Sequence, residues 1–136
     1  MKKVSGFVLV VLLLSGALNF AGLMFGLFYE GFFFDNVAHF LTAMGLVALA
    51  AELAHWHAGI SLGSVRRALL AGALLGIVGG GLWEIFEVIV DYFVPEVYNP
   101  PVDTLLDMTF GTLGGAAGAW RTQAYLASTA KHRRTV

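Results

Sequence analysis

The chain has 136 residues, 58% of them hydrophobic and only 12% charged, with a net charge of −1, against about 25% charged residues in a soluble domain. That composition describes one membrane domain without room for a second, soluble one, and the near-zero charge with no basic patch argues against nucleic acid. The absence of cysteine excludes disulfides, thiolate metal sites and cysteine nucleophiles.

Four apolar segments follow one another at residues 4–28, 36–57, 68–94 and 104–126, each long enough to cross a hydrocarbon core about 30 Å thick. The first follows Lys2-Lys3 and begins like a secretory signal, with Ser15-Gly16-Ala17 where a cleavage site would fall. Its apolar run continues through Leu18, Phe20, Leu23, Phe25 and Phe28, so a retained membrane anchor is expected. Tyr29-Glu30-Gly31 ends it. Residues 59–64, followed by Arg66-Arg67, separate the second segment from the third. Pro95 and Asn99-Pro100-Pro101 separate the third from the fourth, because proline lacks the backbone donor.

Lysine and arginine enrich cytoplasmic loops. The expected fold is therefore an all-α integral membrane protein, a four-helix transmembrane bundle with both termini cytoplasmic. The Arg66-Arg67 turn and a basic tail at 127–136, with Lys131, Arg133 and Arg134, lie on the same side as Lys2-Lys3. The outer loops then carry acids and no bases. Trp56 and Trp120 fall near the inner interface, and Tyr92 and Tyr98 near the outer one, as aromatic belts do.

The acids gather toward the outer ends of these segments, with Glu52 the exception. Glu84, Glu87 and Asp91 share one helical face, and that line continues inward through Gly80, Gly76 and Gly72. Asp103 and Asp107 share a face that continues as Gly111, Gly115 and Ala119; Asp35 and His39 share one that continues to Ala43. Small residues let membrane helices approach closely, so these faces are expected to meet, within the chain or between copies in a homo-oligomer. Where they meet, the polar ends form a pocket in the outer half, with Glu84 about 15 Å below the helix end.

Two readings compete at several positions. Asp35 and Asp103 stand at helix starts, where capping serves as well as function. Asp91 lies near the interface, where hydration suffices. His55 and His57 flank Trp56 at the inner end, where hydration outweighs metal binding. Glu52 and Arg121 lie at similar inner depth and are expected to form a structural pair. Gly79-Gly80-Gly81 reads as a hinge or a close contact, and the line on to Gly72 favours contact. Glu84, Glu87, Asp107 and His39 lie deeper, where an ionisable group costs at least about 2.5–3.5 kcal/mol and marks function.

Their charge requires protons or a bound cation. One imidazole and three carboxylates, His39, Glu84, Glu87 and Asp107, suit a divalent metal ion such as Mn, Fe or Zn. No Glu-x-x-His motif is present, so nuclearity stays open. The expected function is hydrolysis or modification of a lipid-linked envelope substrate, with Asp103 or Asp91 orienting the ligands or acting as base. Proton- or cation-coupled transport is the alternative, although the inner stripe of glycine and alanine offers no polar relay. A non-catalytic envelope protein, its polar cluster fixing helix register, is the third reading.

The pattern Asp35-x-x-x-His39-Phe40, Glu84-x-x-Glu87, then Asp107 with Gly111, Gly114 and Gly118 resembles VanZ-like membrane proteins. It is also similar to the bacterial inner-membrane YjdF family in Trp83-Glu84-x-x-Glu87 and Asp103-x-x-x-Asp107. VanZ-like chains carry Gln where Glu87 stands, Asn where Gly111 stands and an Arg before the last span, so the departures favour the YjdF side. The resemblance covers the second to fourth segments. It implies the four-span fold, the cytoplasmic membrane and the site, and supplies no reaction.

Overall fold

Backbone N–H and C=O groups in hydrocarbon must be satisfied within their own segment, which favours helices. The structure, a computed structural model, describes residues 4–30, 32–93 and 100–132. All regular structure among them is helical: α1 (Gly6–Phe25), α2 (Leu27–Glu30), α3 (Phe32–Ala58), α4 (Val65–Phe93) and α5 (Pro101–His132). Lys2, Lys3, Gly31, Pro95, Glu96, Tyr98, Asn99, Arg133 and Arg134 lie outside the described residues, as do the side chains of Tyr29, Glu30, Phe32, Asp91, Lys131 and His132.

The helix ends depart from the expected segments for local reasons. The first segment breaks at Gly26, whose φ of 69° and ψ of 19° are left-handed and whose N–H closes onto the Gly22 carbonyl; glycine takes this C-cap conformation without a Cβ penalty. The short α2 then folds the Phe28 ring onto Gly22, where a Cβ would overlap it, and edge-on to Phe34 with ring centroids 5.7 Å apart. α3 begins four residues before the expected start, which puts Asp35 inside its first turn. α4 begins at Val65, with Ser64 Oγ accepting the Arg67 N–H at 3.3 Å, so Arg66 and Arg67 occupy the first helical turn rather than the loop. α5 opens on Pro101, the first-turn position that proline suits. It continues to His132, so the expected basic tail is helical over its described part.

Among the described residues, three stretches, Gly6–Phe25, Phe33–Ala58 and Val65–Val90, are long and apolar enough to cross a membrane. α5 is longer, but Asp107, Arg121, its threonines and its glycines keep it from that group. Large apolar side chains stand exposed along the helices, among them Leu13 at 73%, Leu23 at 78% and Val88 at 70%. A surface of that kind belongs against lipid rather than water.

The packing order is α1, α3, α5, α4. α5 packs along both α3 and α4, which make a smaller direct contact with each other, and α1 packs on α3. The expected meeting of three small-residue faces is made largely through α5. On the α4 side, a Cβ at Gly72 would overlap the Gly115 carbonyl, one at Gly76 would lie 2.9 Å from Thr112 Cα, and one at Gly115 would lie 3.0 Å from Gly76 Cα. On the α3 side, Gly114 faces the Phe40 carbonyl and Gly118 faces the Met44 carbonyl. Gly80 meets Met108 Cα at an ordinary 3.7 Å, while Gly79 faces open space. Close contact thus belongs to Gly72 and Gly76 rather than to the triple-glycine run.

Polar groups tie α1 to α3. Ser15 Oγ and Thr42 Oγ1 lie 2.7 Å apart, and Asn19 Nδ2 donates to Thr42 Oγ1 at 3.1 Å and to the Ser15 carbonyl at 2.9 Å. Glu52 is only 1% exposed, and its Oε2 accepts the Ser5 N–H at the start of α1, 2.9 Å away. An anionic carboxylate there meets the positive end of the helix dipole. The expected Glu52–Arg121 pair gives way to this: the α1 terminus takes Glu52, and the Arg121 guanidinium lies over the Phe7 ring at 5.1 Å. Both residues line a cavity of about 140 Å³ with Ser5, Gly6, Phe7, Thr122 and Tyr125.

Candidate functional site

Three helices each deliver part of a polar cluster. Asp35 and His39 stand one turn apart near the start of α3. Glu84 and Glu87 stand one turn apart toward the end of α4. Asp107 lies two turns into α5 and faces both, because α5 is sandwiched between the other two. The glycine contacts set this depth, since they fix how α3 and α4 slide along α5.

The geometry resolves into two triads. His39 Nε2 is 3.4 Å from Asp35 Oδ1 and 3.7 Å from Asp107 Oδ1. Asp35, His39 and Asp107 each offer a ligand atom within 4.8 Å of the others, and so do Glu84, Glu87 and Asp107. The four expected ligands are thus brought together, not as one ring but as two groups sharing Asp107. Asp35, for which capping and function were equally good readings, joins the His39 group.

Burial is uneven. Asp107 is 1% exposed and Glu84 8%. Neither carboxylate oxygen of Asp107 has a hydrogen-bond partner among the described residues, and His39 Nε2 at 3.7 Å is beyond hydrogen-bond reach. Bases are far along the helices: Arg66 precedes Glu84 by about 27 Å along α4, and Arg121 follows Asp107 by about 21 Å along α5, at 1.5 Å per residue.

Asp103, one turn before Asp107, is partly buried and belongs to neither triad. Burial raises its carboxyl above the ordinary aspartate value, and the charge of Asp35 adds to the rise. The Asp91 side chain lies outside the described residues. Trp83 was not singled out as functional by sequence reasoning. Its indole N–H donates to Glu87 Oε1 at 2.7 Å, and its ring meets His39 edge-on at 6.3 Å between centroids. The i, i+4 spacing of Trp83 and Glu87 was the available signal.

Chemically, one imidazole and four carboxylates form a donor set for hard or borderline divalent cations. Carboxylate–histidine sites on facing helices of a bundle are an established way to hold metal.

Long helices with exposed apolar faces around a buried polar cluster define a multi-pass integral membrane protein. The chain belongs to the family described as "Predicted membrane protein (DUF2238)", whose model matches residues 3–128. An uncharacterized protein of Thermotoga maritima is 35% identical over 96 residues, covering 64% of this chain and 46% of that protein. The chain therefore spans under half the length of that relative. No solved structure matches the chain.

Proposed function

We propose that the protein spans the cytoplasmic membrane four times with both termini inside. Its Asp107-centred cluster binds a divalent cation, Mn, Fe or Zn, in the extracytoplasmic half and serves hydrolysis or modification of a lipid-linked envelope substrate. One observation carries the metal reading: Asp107 is 1% exposed with neither oxygen hydrogen-bonded among the described residues, and other acids surround it. Leaving a buried charge without its partner costs about 3–5 kcal/mol, and a cation bound by Asp107 offsets that cost.

The fourth span is supported by packing rather than hydropathy. α5 runs along α4 from the Met108–Gly80 contact to the Ala119–Gly72 contact, so it covers the same depth as a helix apolar enough to cross. The charge pattern supports the orientation, because Arg66, Arg67 and Arg121 share one end of the bundle, which the positive-inside rule makes cytoplasmic.

His39, Glu84, Glu87 and Asp107, with Asp35, are the ligands in this reading. A bound divalent ion would activate water or polarise a phosphate or carbonyl. Asp103, one turn nearer the helix end, would orient a ligand or accept a proton, and Asp91 on α4 has the same assignment. Transport is less well supported, because tight backbone contacts at Gly72, Gly76 and Gly115 close the inner half between α4 and α5. The motif likeness to YjdF-type and VanZ-like proteins agrees with the site and adds no reaction.

The test is metal analysis of detergent-purified protein, stripped with chelator and re-exposed to Mn²⁺, Fe²⁺ or Zn²⁺. Wild type should take up stoichiometric metal and Asp107→Asn should not. Equal uptake by the two, or none by wild type, removes the metal reading. A cation or proton flux into vesicles that Glu84→Gln abolishes would replace the enzyme with a transporter. If both substitutions leave uptake and stability unchanged, the polar cluster only fixes helix register.

A further inference from the structure

We infer that the cluster is a two-metal centre bridged by Asp107, with one ion held by Asp35 and His39 of α3 and the other by Glu84 and Glu87 of α4. This rests on the metal reading above and adds nuclearity and the division of ligands.

The grouping of the ligand atoms is the first argument. α3 and α4 meet at the site through the Trp83 and His39 rings, yet among the described residues neither ligand group joins a donor of α3 to a donor of α4. A single ion would have to draw on both groups at once. Two ions need not. Each sits between α5 and one neighbour, and both triads hold their ligand atoms within 4.8 Å. Asp107 is the one residue common to the two triads.

The second argument is the state of Asp107 itself. Both of its oxygens are buried and lack hydrogen-bond partners among the described residues. One ion on one oxygen would leave the second buried and unsatisfied, which costs about 1–3 kcal/mol or more for a charged group. A carboxylate that bridges two ions uses both oxygens, and paired metal ions stand about 3.5–4 Å apart, a span that a bridging carboxylate covers.

Charge gives the third. Asp35, Glu84, Glu87 and Asp107 total −4 when ionised, and neutral His39 adds nothing. One divalent ion leaves −2 around two buried carboxylates, Glu84 and Asp107, whereas two bring it to zero. Uncompensated charge in such surroundings is strongly disfavoured. Trp83 supplies outer support on the α4 side: its indole N–H holds Glu87 Oε1 at 2.7 Å, the kind of contact that orients a ligating carboxylate.

Mn²⁺ is the probe. The full chain, chelator-stripped in detergent, is dialysed against Mn²⁺, its metal counted by mass spectrometry and its spin coupling read by electron paramagnetic resonance. Two ions per chain with an exchange-coupled spectrum are expected. Asp35→Asn and Glu87→Gln should each retain one uncoupled ion, and Asp107→Asn should abolish coupling and weaken uptake at both positions. One uncoupled ion per chain in wild type overturns the two-metal centre while leaving metal binding in place. No uptake above a micelle blank overturns both. Because the wild-type count alone decides between one ion and two, a variant that fails to fold does not compromise the test.

Discussion

The tightest wedge in the bundle is at Gly114, and it links packing to the site. A Cβ there would overlap the Phe40 carbonyl oxygen and lie 2.9 Å from Phe40 C and 3.0 Å from Phe40 Cα. Comfortable carbon contacts are about 3.5–4.0 Å, so Gly114→Ala must part α3 and α5 locally by about 0.5–1 Å. The obstacle is backbone and cannot rotate away. Overpacking costs about 1–3 kcal/mol and more in tight cases, whereas alanine gains only about 1 kcal/mol over glycine in helix propensity. The net expectation is a loss of about 2 kcal/mol, read as a thermal midpoint in detergent lower by several degrees. Phe40 follows His39 directly, and Asp107 lies two turns before Gly114, so the same parting should weaken Mn²⁺ uptake. Gly79 is the control: nothing lies within 4 Å of its added Cβ, so Gly79→Ala should leave stability unchanged or raise it by up to about 1 kcal/mol. A Gly114→Ala protein as stable as wild type, with unchanged metal uptake, would refute the proposed α3–α5 contact.

Trp83→Phe keeps an aromatic ring but removes the donor to Glu87 Oε1; Mn²⁺ affinity should fall about 10–100-fold with helicity unchanged, and unaltered affinity in a titration would deny Trp83 a positioning role. Thr42→Val keeps the shape but removes the hydroxyl that accepts from Asn19 Nδ2 and pairs with Ser15 Oγ. Interhelical polar bonds in membranes are worth about 0.6 kcal/mol and at most about 1.7, so chemical denaturation in mixed micelles should show a loss of about 1–2 kcal/mol; no loss means that α1 docks by apolar contact alone. The cysteine-free chain allows orientation to be read by single-cysteine labelling. A membrane-impermeant maleimide should label Val102→Cys on intact cells and Ser61→Cys only after permeabilisation, and the reverse pattern would invert the assigned topology.

Much of the site was legible because charge in an apolar helix stands out and helical spacing is rigid. Glu84 and Glu87, His39 and Asp107 could be placed on faces, and Gly72, Gly76, Gly111 and Gly115 marked where α4 and α5 approach. What spacing does not reveal is neighbour order. Three small-residue faces look as though they meet at one point, yet α5 carries two such rows, Gly111 and Gly115 toward α4 and Gly114 and Gly118 toward α3. That is why the four expected ligands, joined by Asp35, fall into two triads. The break at Gly26 was missed because an apolar run hides the single left-handed glycine. Ser15 was read only as part of a cleavage-like site, although the i, i+4 spacing of Ser15 and Asn19 marks the polar face that meets Thr42.

The least apolar long helix occupies the centre, and this follows from its chemistry. Among the described large apolar side chains of α5, Val102, Leu105, Leu113 and Trp120 are exposed, and at 100° per residue they fall on one narrow stripe. Most of the rest is small or polar, and Leu106, Met108 and Phe110 are only partly exposed. Thr112 Oγ1 donates to the Met108 carbonyl at 2.7 Å, and Thr122 Oγ1 to the Ala48 carbonyl of α3 at 3.4 Å. A helix of that composition gains little from lipid contact. It gains more from helices that accept its glycines at backbone distance, and those helices in turn shield Asp107. The properties that keep α5 out of the set of strongly apolar spans are the ones that bring two acidic pairs to a shared carboxylate.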